Sequence, residues 1–184
     1  MGDYTFFFYG TLMAPAILHR IIHGSSTPEV WQKSLIISRP ALLPGYRRYR
    51  VHNADYPALT PSDSADSPPV LGTIVTGITE GDIYRLDRFE GSEYEKCSVR
   101  VKVLRGAAQT KCGEEGDGSL QHALEKTANA GCDESAFREM EEVEAMTYVW
   151  KDGKERLDVD QEWDYEHFKK EKMQWWVEAD ESEL

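Results

Sequence analysis

The sequence predicts an α+β domain in which short strands outnumber helices. Most apolar runs among the 184 residues are short, rich in β-branched and aromatic side chains, and bounded by glycine or proline, a pattern typical of strands separated by turns. Three stretches instead carry apolar residues at helical spacing, at 14–22, 79–89 and 163–177. Because a chain of this length can bury a sizeable core in one unit, we expect a single domain over 1–184.

The predicted elements of the first half are separated at glycine and proline. Gly10 closes an aromatic run that predicts a buried strand, and Pro15 stands near the start of a helix, where proline is tolerated. Gly72, inside a β-branched run, indicates a bulge or a close approach of another chain segment. In order, the elements are a strand at 5–9, a helix at 14–22, strands at 34–38 and 42–51, a loop at 61–69 and a strand at 70–77.

The second half begins with a short helix whose start and end both have signals. Thr79 is the expected N-cap, and Asp82 three residues later stands in the capping box in place of the usual glutamate. Glu90 then falls at the C-terminal end of the helix and is followed by Gly91. In order, the remaining elements are a strand at 94–104, a flexible acidic insertion at 106–142, a strand at 143–150, a long helix at 163–177 capped by Asp164, and an acidic tail at 178–184.

The charge distribution argues against nucleic acid and membrane as partners. The net charge is −12, which disfavours binding to phosphate backbones and to anionic lipid surfaces. Acidic and basic side chains balance over 1–104, so the acidic excess lies in 105–145, around the insertion, and in 155–184, at the C-terminal end, where it favours solubility. No apolar run reaches transmembrane length, and the first residues lack the basic segment of a signal peptide.

The cysteines indicate a reducing compartment. Cys97, Cys112 and Cys132 are odd in number and contain no Cys-x-x-Cys pair. We therefore expect free thiols. Together with the absence of a targeting signal, this predicts a cytoplasmic protein.

Two segments carry the chemistry that the sequence suggests. Glu90 is a carboxylate in an apolar, aromatic setting beside a glycine, and such surroundings raise the pKa of a carboxyl towards values useful for proton transfer. The segment from Tyr9 to Leu12 is the end of a strand followed by a glycine turn, where backbone N–H groups can bind an anionic ligand. The two together predict acid/base chemistry on a small molecule held by main chain, without a metal or cofactor.

Three other patterns are weaker. His19 and His23 have the spacing of a zinc-binding helical pair, but Arg20 stands where a general base would be and no third ligand is evident. The basic and aromatic stretch 46–50 resembles a nucleic-acid-binding strand, yet on so acidic a chain it is better explained as an exposed strand face or a rim that attracts anionic substrates. The acidic stretch 113–118 lacks the spaced oxygens of a calcium loop.

Several short motifs follow one another along the chain. They are Tyr9-Gly10-Thr11-Leu12, Val70-x-Gly72, Leu86-Asp87-x-Phe89-Glu90-Gly91-x-x-Tyr94, Tyr148-Val149-Trp150, and Trp163-Asp164 followed by Phe168. In this order they resemble the motifs of the gamma-glutamylcyclotransferase-like family. With its C-terminal motifs, the chain is most similar to the avirulence-induced-gene branch of that family, and the resemblance covers 4–104 and 146–177.

The resemblance implies a fold and an activity. The family fold is a small mixed-strand β-barrel flanked by helices, with a cavity over the first glycine loop. Members of known activity cyclise a γ-glutamyl amide to 5-oxoproline and free an amine, without a cofactor. By this resemblance Glu90 is the catalytic glutamate, and the substrate-binding residues are Tyr9, Gly10, Thr11, Leu12 and Tyr94. Where the family generally has arginine two residues after that tyrosine, this chain has Lys96, which keeps the charge but loses the planar guanidinium.

The sequence thus supports a cytoplasmic, cofactor-free gamma-glutamylcyclotransferase acting on a small γ-glutamyl-type substrate, as a monomer or weak dimer. Glu90 would act first as base and then as acid. Two alternatives stay open. One is a non-catalytic module on the same fold that binds a small acid or a protein partner, and the other is a different Glu90-dependent proton transfer on a small metabolite.

Overall fold

Nine strands and five helices make up the described part of the chain. The computed structural model describes residues 2–64, 66–104, 110–111 and 140–178. The strands are β1 (Tyr4–Phe8), β2 (Ile37–Leu43), β3 (Tyr46–Val51), β4 (Pro57–Pro61), β5 (Val70–Ile78), β6 (Tyr94–Leu104), β7 (Thr110–Lys111), β8 (Met140–Trp150) and β9 (Leu157–Asp158). The helices are α1 (Pro15–His23), α2 (Val30–Lys33), α3 (Glu80–Glu90), α4 (Tyr165–Glu171) and α5 (Met173–Glu178). None of the described helices is long and apolar enough to cross a membrane.

Five of the strands close into a barrel. They follow the order β5–β1–β8–β6–β2, and β2 pairs again with β5. All of these pairings are antiparallel except the one between β1 and β8, which is parallel. The barrel is therefore of mixed strand direction, as predicted. Strand β7 extends from β2, and a small second sheet of order β4–β3–β9 lies beside the barrel.

Strand β1 is buried on both faces, which explains its continuous aromatic sequence. Phe7 belongs to a core cluster built entirely from strand residues and the residues next to them, while Phe6 and Phe8 belong to a second cluster that includes α1, α3 and the C-terminal helices. Gly72 of β5 approaches this strand closely, since a Cβ atom there would lie 2.3 Å from the Phe8 carbonyl oxygen and 2.5 Å from the Phe7 ring. The glycine is thus needed for close approach, one of the two expected reasons.

Helix α3 begins and ends where its sequence signals predict. The Asp82 N–H donates to Thr79 Oγ1 at 3.2 Å, and the Thr79 N–H donates to Asp82 Oδ2 at 2.9 Å, so aspartate completes the capping box. At the other end Gly91 has φ of 73°, a conformation that favours glycine. This fixed register places Glu90 at the last position of the helix.

Some expectations about the second half were wrong. The predicted long C-terminal helix is two short ones, α4 and α5, separated at Lys172, whose φ of −125° is not helical. Asp164 does cap α4, because its Oδ1 accepts hydrogen bonds from the N–H groups of Glu166 and His167 at 2.8 and 3.1 Å.

The insertion predicted at 106–142 is shorter than expected and contains strand structure. Its last three residues belong to β8, and the short strand β7 lies within it. The predicted boundary at 142 was wrong because the alternation of β8 continues through acidic residues that form cross-strand ion pairs, such as Glu142 with Arg100 at 3.1 Å and with Lys102 at 3.0 Å. The rest of the insertion, with the tail from 179, lies outside the described residues.

Candidate active site

A cavity of about 410 Å³ opens where the end of β1 meets the end of α3. It is the site that the sequence predicts, because both motifs contribute to its wall although about 80 residues separate them. All six predicted site residues line it: Tyr9, Gly10, Thr11, Leu12, Glu90 and Tyr94.

The wall on the β1 side is a tight turn whose first N–H groups have no hydrogen-bond partner in the part of the chain that the structure describes. After β1 the chain forms a single 3₁₀ turn, in which the Met13 N–H donates to the Gly10 carbonyl at 2.9 Å. In a 3₁₀ turn each N–H group donates to the carbonyl oxygen three residues before it, and Met13 is the first residue to do so here. The N–H groups of Gly10, Thr11 and Leu12 come before Met13 and therefore make no hydrogen bond within the turn. They are available to bind a ligand in the cavity.

Gly10 is held against Pro57. A Cβ atom at position 10 would lie 2.6 Å from Cγ and 2.8 Å from Cδ of the Pro57 ring, which is too close for any side chain. Pro57 begins β4 and also lines the cavity. The second sheet therefore buttresses the glycine turn from behind.

Glu90 is half-buried in the opposite wall. Burial, and then the negative charge of Asp87, raises the pKa of its carboxyl from 4.5 to about 8. Among the described residues, no group donates a hydrogen bond to this carboxyl, so nothing compensates for the water that it loses. The result is a carboxyl that holds its proton at neutral pH and releases it at mildly alkaline pH.

Behind Glu90 lies a polar cluster centred on Asp87. The Tyr148 hydroxyl donates to Asp87 Oδ1 at 2.7 Å. Lys96 Nζ contacts both carboxylate oxygens, at 3.1 and 2.9 Å. Lys96 thus holds the carboxylate that helps to raise the Glu90 pKa.

The hydroxyls of the two site tyrosines bind main chain. Tyr9 Oη donates to the Tyr148 carbonyl oxygen at 2.7 Å, and Tyr94 Oη donates to the Pro57 carbonyl oxygen at 2.7 Å. Burial is the main cause that raises the pKa of both hydroxyls, with the charge of Glu90 contributing to each. Both tyrosines therefore shape the wall as neutral groups, and each joins the site to a neighbouring strand.

The mouth of the cavity carries opposite charges. Glu93 accepts hydrogen bonds from Arg156 and, at 3.3 Å, from the Tyr56 hydroxyl, so its charge is balanced. Arg88 also lines the cavity; it is exposed and has no ion-pair partner among the described residues. Trp176 of α5 completes the wall, packed edge-on against Phe89 with ring centres 5.8 Å apart.

Comparison with known proteins identifies the family. The family model described as "Gamma-glutamyl cyclotransferase, AIG2-like" matches residues 6–115, which include both site motifs. The chain belongs to this family. The match also contains the capped helix α3 and the strand that follows it.

Curated relatives carry the AIG2 name. AIG2-like protein B of Arabidopsis thaliana is 29% identical over 94% of this chain and 73% of its own length. Protein AIG2 C and AIG2-like protein A of the same plant are 29% and 33% identical over 57% and 52% of this chain. The matches with these two cover only about half of their own length, 56% and 50%.

Solved structures show the same fold. A solution structure from Arabidopsis thaliana superposes with a TM-score of 0.53 at 24% identity, covering 90% of this chain and 72% of that one. A crystal structure of an AIG2-like protein from Mus musculus gives a TM-score of 0.51 at 18% identity, covering 85% and 83%. These structures confirm the predicted barrel with flanking helices, and the family model confirms the predicted family.

Sequence reasoning missed the role of Arg48, on the stretch 46–50, which lies behind the cavity rather than in its lining. Arg47 and Arg50 of that stretch are exposed as expected, whereas the Arg48 side chain is only 10% exposed and donates to the Tyr9 carbonyl at 2.8 Å. No signal in the sequence separates it from its neighbours. Trp176 was expected to pack on the core, which it does, but its place at the cavity depends on the break at Lys172.

The structure describes the histidine pair and one of the three cysteines. His19 and His23 stack with ring centres 5.2 Å apart on α1, and no group of three or more potential metal ligands occurs in the described residues. Cys97 is a free thiol. The other two cysteines and the stretch 113–118 lie outside the described residues.

Proposed function

We propose that this chain is a gamma-glutamylcyclotransferase, which converts a γ-glutamyl amide into 5-oxoproline and a free amine. The observation that carries the proposal is the pairing, in one cavity, of a carboxyl of pKa about 8 with a turn of free N–H groups. Membership of the family supports the reaction class.

In this reaction the substrate's α-amine attacks its own γ-carbonyl carbon. A C–N bond forms to close the five-membered ring, and the amide C–N bond to the leaving amine breaks. Glu90 takes a proton from the attacking amine and delivers one to the leaving amine. One proton leaves the attacking amine and one proton is added to the leaving amine. The reaction therefore needs no reactant other than the substrate.

The pKa of Glu90 suits this double role. A peptide α-amino group ordinarily has a pKa of roughly 7.7–8.0, and the substrate amine, which lies beside a free carboxylate, holds its proton somewhat more tightly; the Glu90 carboxyl, with a pKa of about 8, is much closer to it than an ordinary glutamate. A proton passing between groups of such similar affinity meets little thermodynamic barrier in either direction. An exposed glutamate of pKa 4.5 would be a much weaker base.

The glycine turn can stabilise the negative charge that develops on the substrate during the reaction. As the γ-carbonyl carbon becomes tetrahedral, its oxygen gains negative charge, which N–H groups stabilise. Gly10, Thr11 and Leu12 line the same cavity as Glu90, and the Pro57 ring packs against Gly10 and restrains the turn there. The N–H groups of the turn would bind that oxygen or the substrate carboxylate.

The test is release of 5-oxoproline from γ-glutamyl amino acids, γ-glutamylamines and glutathione. We expect the wild-type protein to turn over at least one of these groups and Glu90→Gln to lose about 10³-fold in kcat, the usual size of a general acid/base contribution. Glu95→Gln is the matched control, since it makes the same substitution at an exposed site on β6. Absence of 5-oxoproline across the panel would overturn the proposal, and binding of 5-oxoproline without any turnover would favour a non-catalytic binding module.

A further inference from the structure

Arg48 is a buried cation in the wall behind the glycine turn. Its side chain is 10% exposed, and burial is the main cause that lowers the pKa of its guanidinium, although Glu162 and Asp164 oppose the change. Its Nε is buried and has no hydrogen-bond partner among the described residues. Withdrawing such a charge from water is costly, and apolar residues commonly replace buried ion pairs without loss of stability. Stability alone therefore does not explain why a guanidinium occupies this place.

The guanidinium joins three parts of the fold. Its Nη1 donates to the carbonyl oxygens of Tyr9 at 2.8 Å and Leu71 at 3.2 Å. Its Nη2 donates to Glu162 Oε1 at 3.1 Å, and the group lies 5.5 Å from the centre of the Trp163 ring. Arg48 therefore connects the end of β1, the start of β5 and the segment before α4.

The Tyr9 carbonyl belongs to the peptide unit that also carries the Gly10 N–H. In a planar trans peptide the C=O and N–H point in opposite directions. Holding the carbonyl on one side therefore determines the direction of the N–H on the other. Pro57 restrains the same unit from the Gly10 Cα side, so the peptide has little freedom to rotate.

We propose that Arg48 is a positioning residue for the cyclisation, which directs the Gly10 N–H into the cavity to bind an anionic oxygen of the substrate. The inference rests on the proposed function. Arg48 belongs to β3 of the second sheet and does not line the cavity. By this inference the second sheet nevertheless sets the geometry of the site.

The kinetic test compares Arg48→Met with Arg47→Met. Arg47 is the matched control, because it is exposed on the same strand with its guanidinium 5.2 Å from the Tyr49 ring centre. We expect Arg48→Met to lose about 10²-fold in kcat, as when one oxyanion donor is removed or misplaced, and Arg47→Met to stay within about twofold of wild type. Rates are normalised to the folded fraction measured by circular dichroism. Unchanged kcat in folded Arg48→Met overturns the inference.

A second readout is independent of turnover. The Gly10 amide and the Trp176 indole N–H are followed by NMR while 5-oxoproline is added. We expect both signals to shift in the wild type and in Arg47→Met, but only the Trp176 signal to shift in Arg48→Met. If the Gly10 signal shifts equally in all three proteins, the inference is overturned.

The two proposals fail in distinguishable ways. If the wild type neither releases nor binds 5-oxoproline, the proposed function fails and this inference falls with it. If Arg48→Met keeps full turnover, only this inference fails. Should the methionine variant not fold, Arg48→Lys replaces it, since lysine keeps the charge but lacks the planar fork; a loss of less than about tenfold in its kcat would then overturn the inference.

Discussion

Replacing Glu90 with glutamine should stabilise the folded protein at alkaline pH. In the folded state the carboxyl is shielded from water, lies near Asp87 and receives no hydrogen bond from the described residues. Its ionised form is therefore disfavoured, whereas in the unfolded chain it ionises freely. Glutamine has nearly the same shape and no charge to desolvate.

The sign and size of the effect follow from the two pKa values. Below pH 4.5 the carboxyl is protonated in both the folded and the unfolded state, so it does not affect the free energy of unfolding. Between pH 4.5 and about 8 only the unfolded chain releases the proton, so stability falls as pH rises, and above about 8 the loss is complete. At 1.36 kcal/mol per pH unit the loss reaches about 5 kcal/mol at most. Because the residue borders an open cavity, water reduces this ceiling, and we expect about 2 kcal/mol.

The assay is urea unfolding at pH 5 and pH 9, followed by far-ultraviolet circular dichroism. With a denaturant slope of about 2 kcal/mol per molar, Glu90→Gln should unfold at about 1 M more urea than wild type at pH 9, and at nearly the same concentration at pH 5. Glu95→Gln, at an exposed site on the next strand, controls for the change in net charge. If the advantage of Glu90→Gln over that control does not grow between pH 5 and pH 9, Glu90 does not carry a raised pKa, and the argument for its role as base fails.

Three further predictions concern the cavity wall. Asp87→Asn removes the charge that helps to raise the Glu90 pKa, so the rising limb of the profile of kcat/KM against pH should move to lower pH; an unmoved limb would contradict this origin of the shift. Gly10→Ala brings a Cβ within 2.6 Å of the Pro57 ring and should cost about 1–3 kcal/mol of stability, measurable as a lower Tm that Pro57→Ala partly restores. Arg88→Gln removes an unpaired positive charge at the mouth, so it should raise KM about fivefold for γ-glutamyl amino acids, whose leaving amine bears a carboxylate, and leave KM for γ-glutamylamines unchanged; equal effects on both would refute a carboxylate contact.

Local signals predicted helix α3 well. Its capping box, its apolar face and its terminal glycine all lie within a dozen consecutive residues, so the helix boundaries depend little on the rest of the fold. The same is true of β1, whose aromatic run ends at a glycine. Glu90 is the last residue of α3, and the residues from Tyr9 to Leu12 directly follow β1, so local signals predicted these five, whereas Tyr94 was predicted only from the family resemblance.

Elements whose limits depend on distant contacts were predicted poorly. Strand β4 was missed because its five residues begin and end with proline, which ordinarily argues against a strand, and it pairs with β3 only at the edge of a small sheet. The C-terminal helices read as one periodic stripe, yet the chain breaks at Lys172, whose Nζ lies 3.4 Å from Asp55 Oδ1. Periodicity cannot show a break that lies between residues of good helix propensity.

What the sequence determined by itself was a glutamate at the end of a capped helix, and a strand that ends in a glycine turn, because short-range patterns dictate both. Only the tertiary structure decided that these two ends meet in one cavity and that Glu90 has a pKa of about 8. Desolvation depends on every atom that surrounds the carboxyl, whatever its distance along the chain. The same holds for Arg48, which is distinguished from its neighbours only by the carbonyl groups that the fold brings to it.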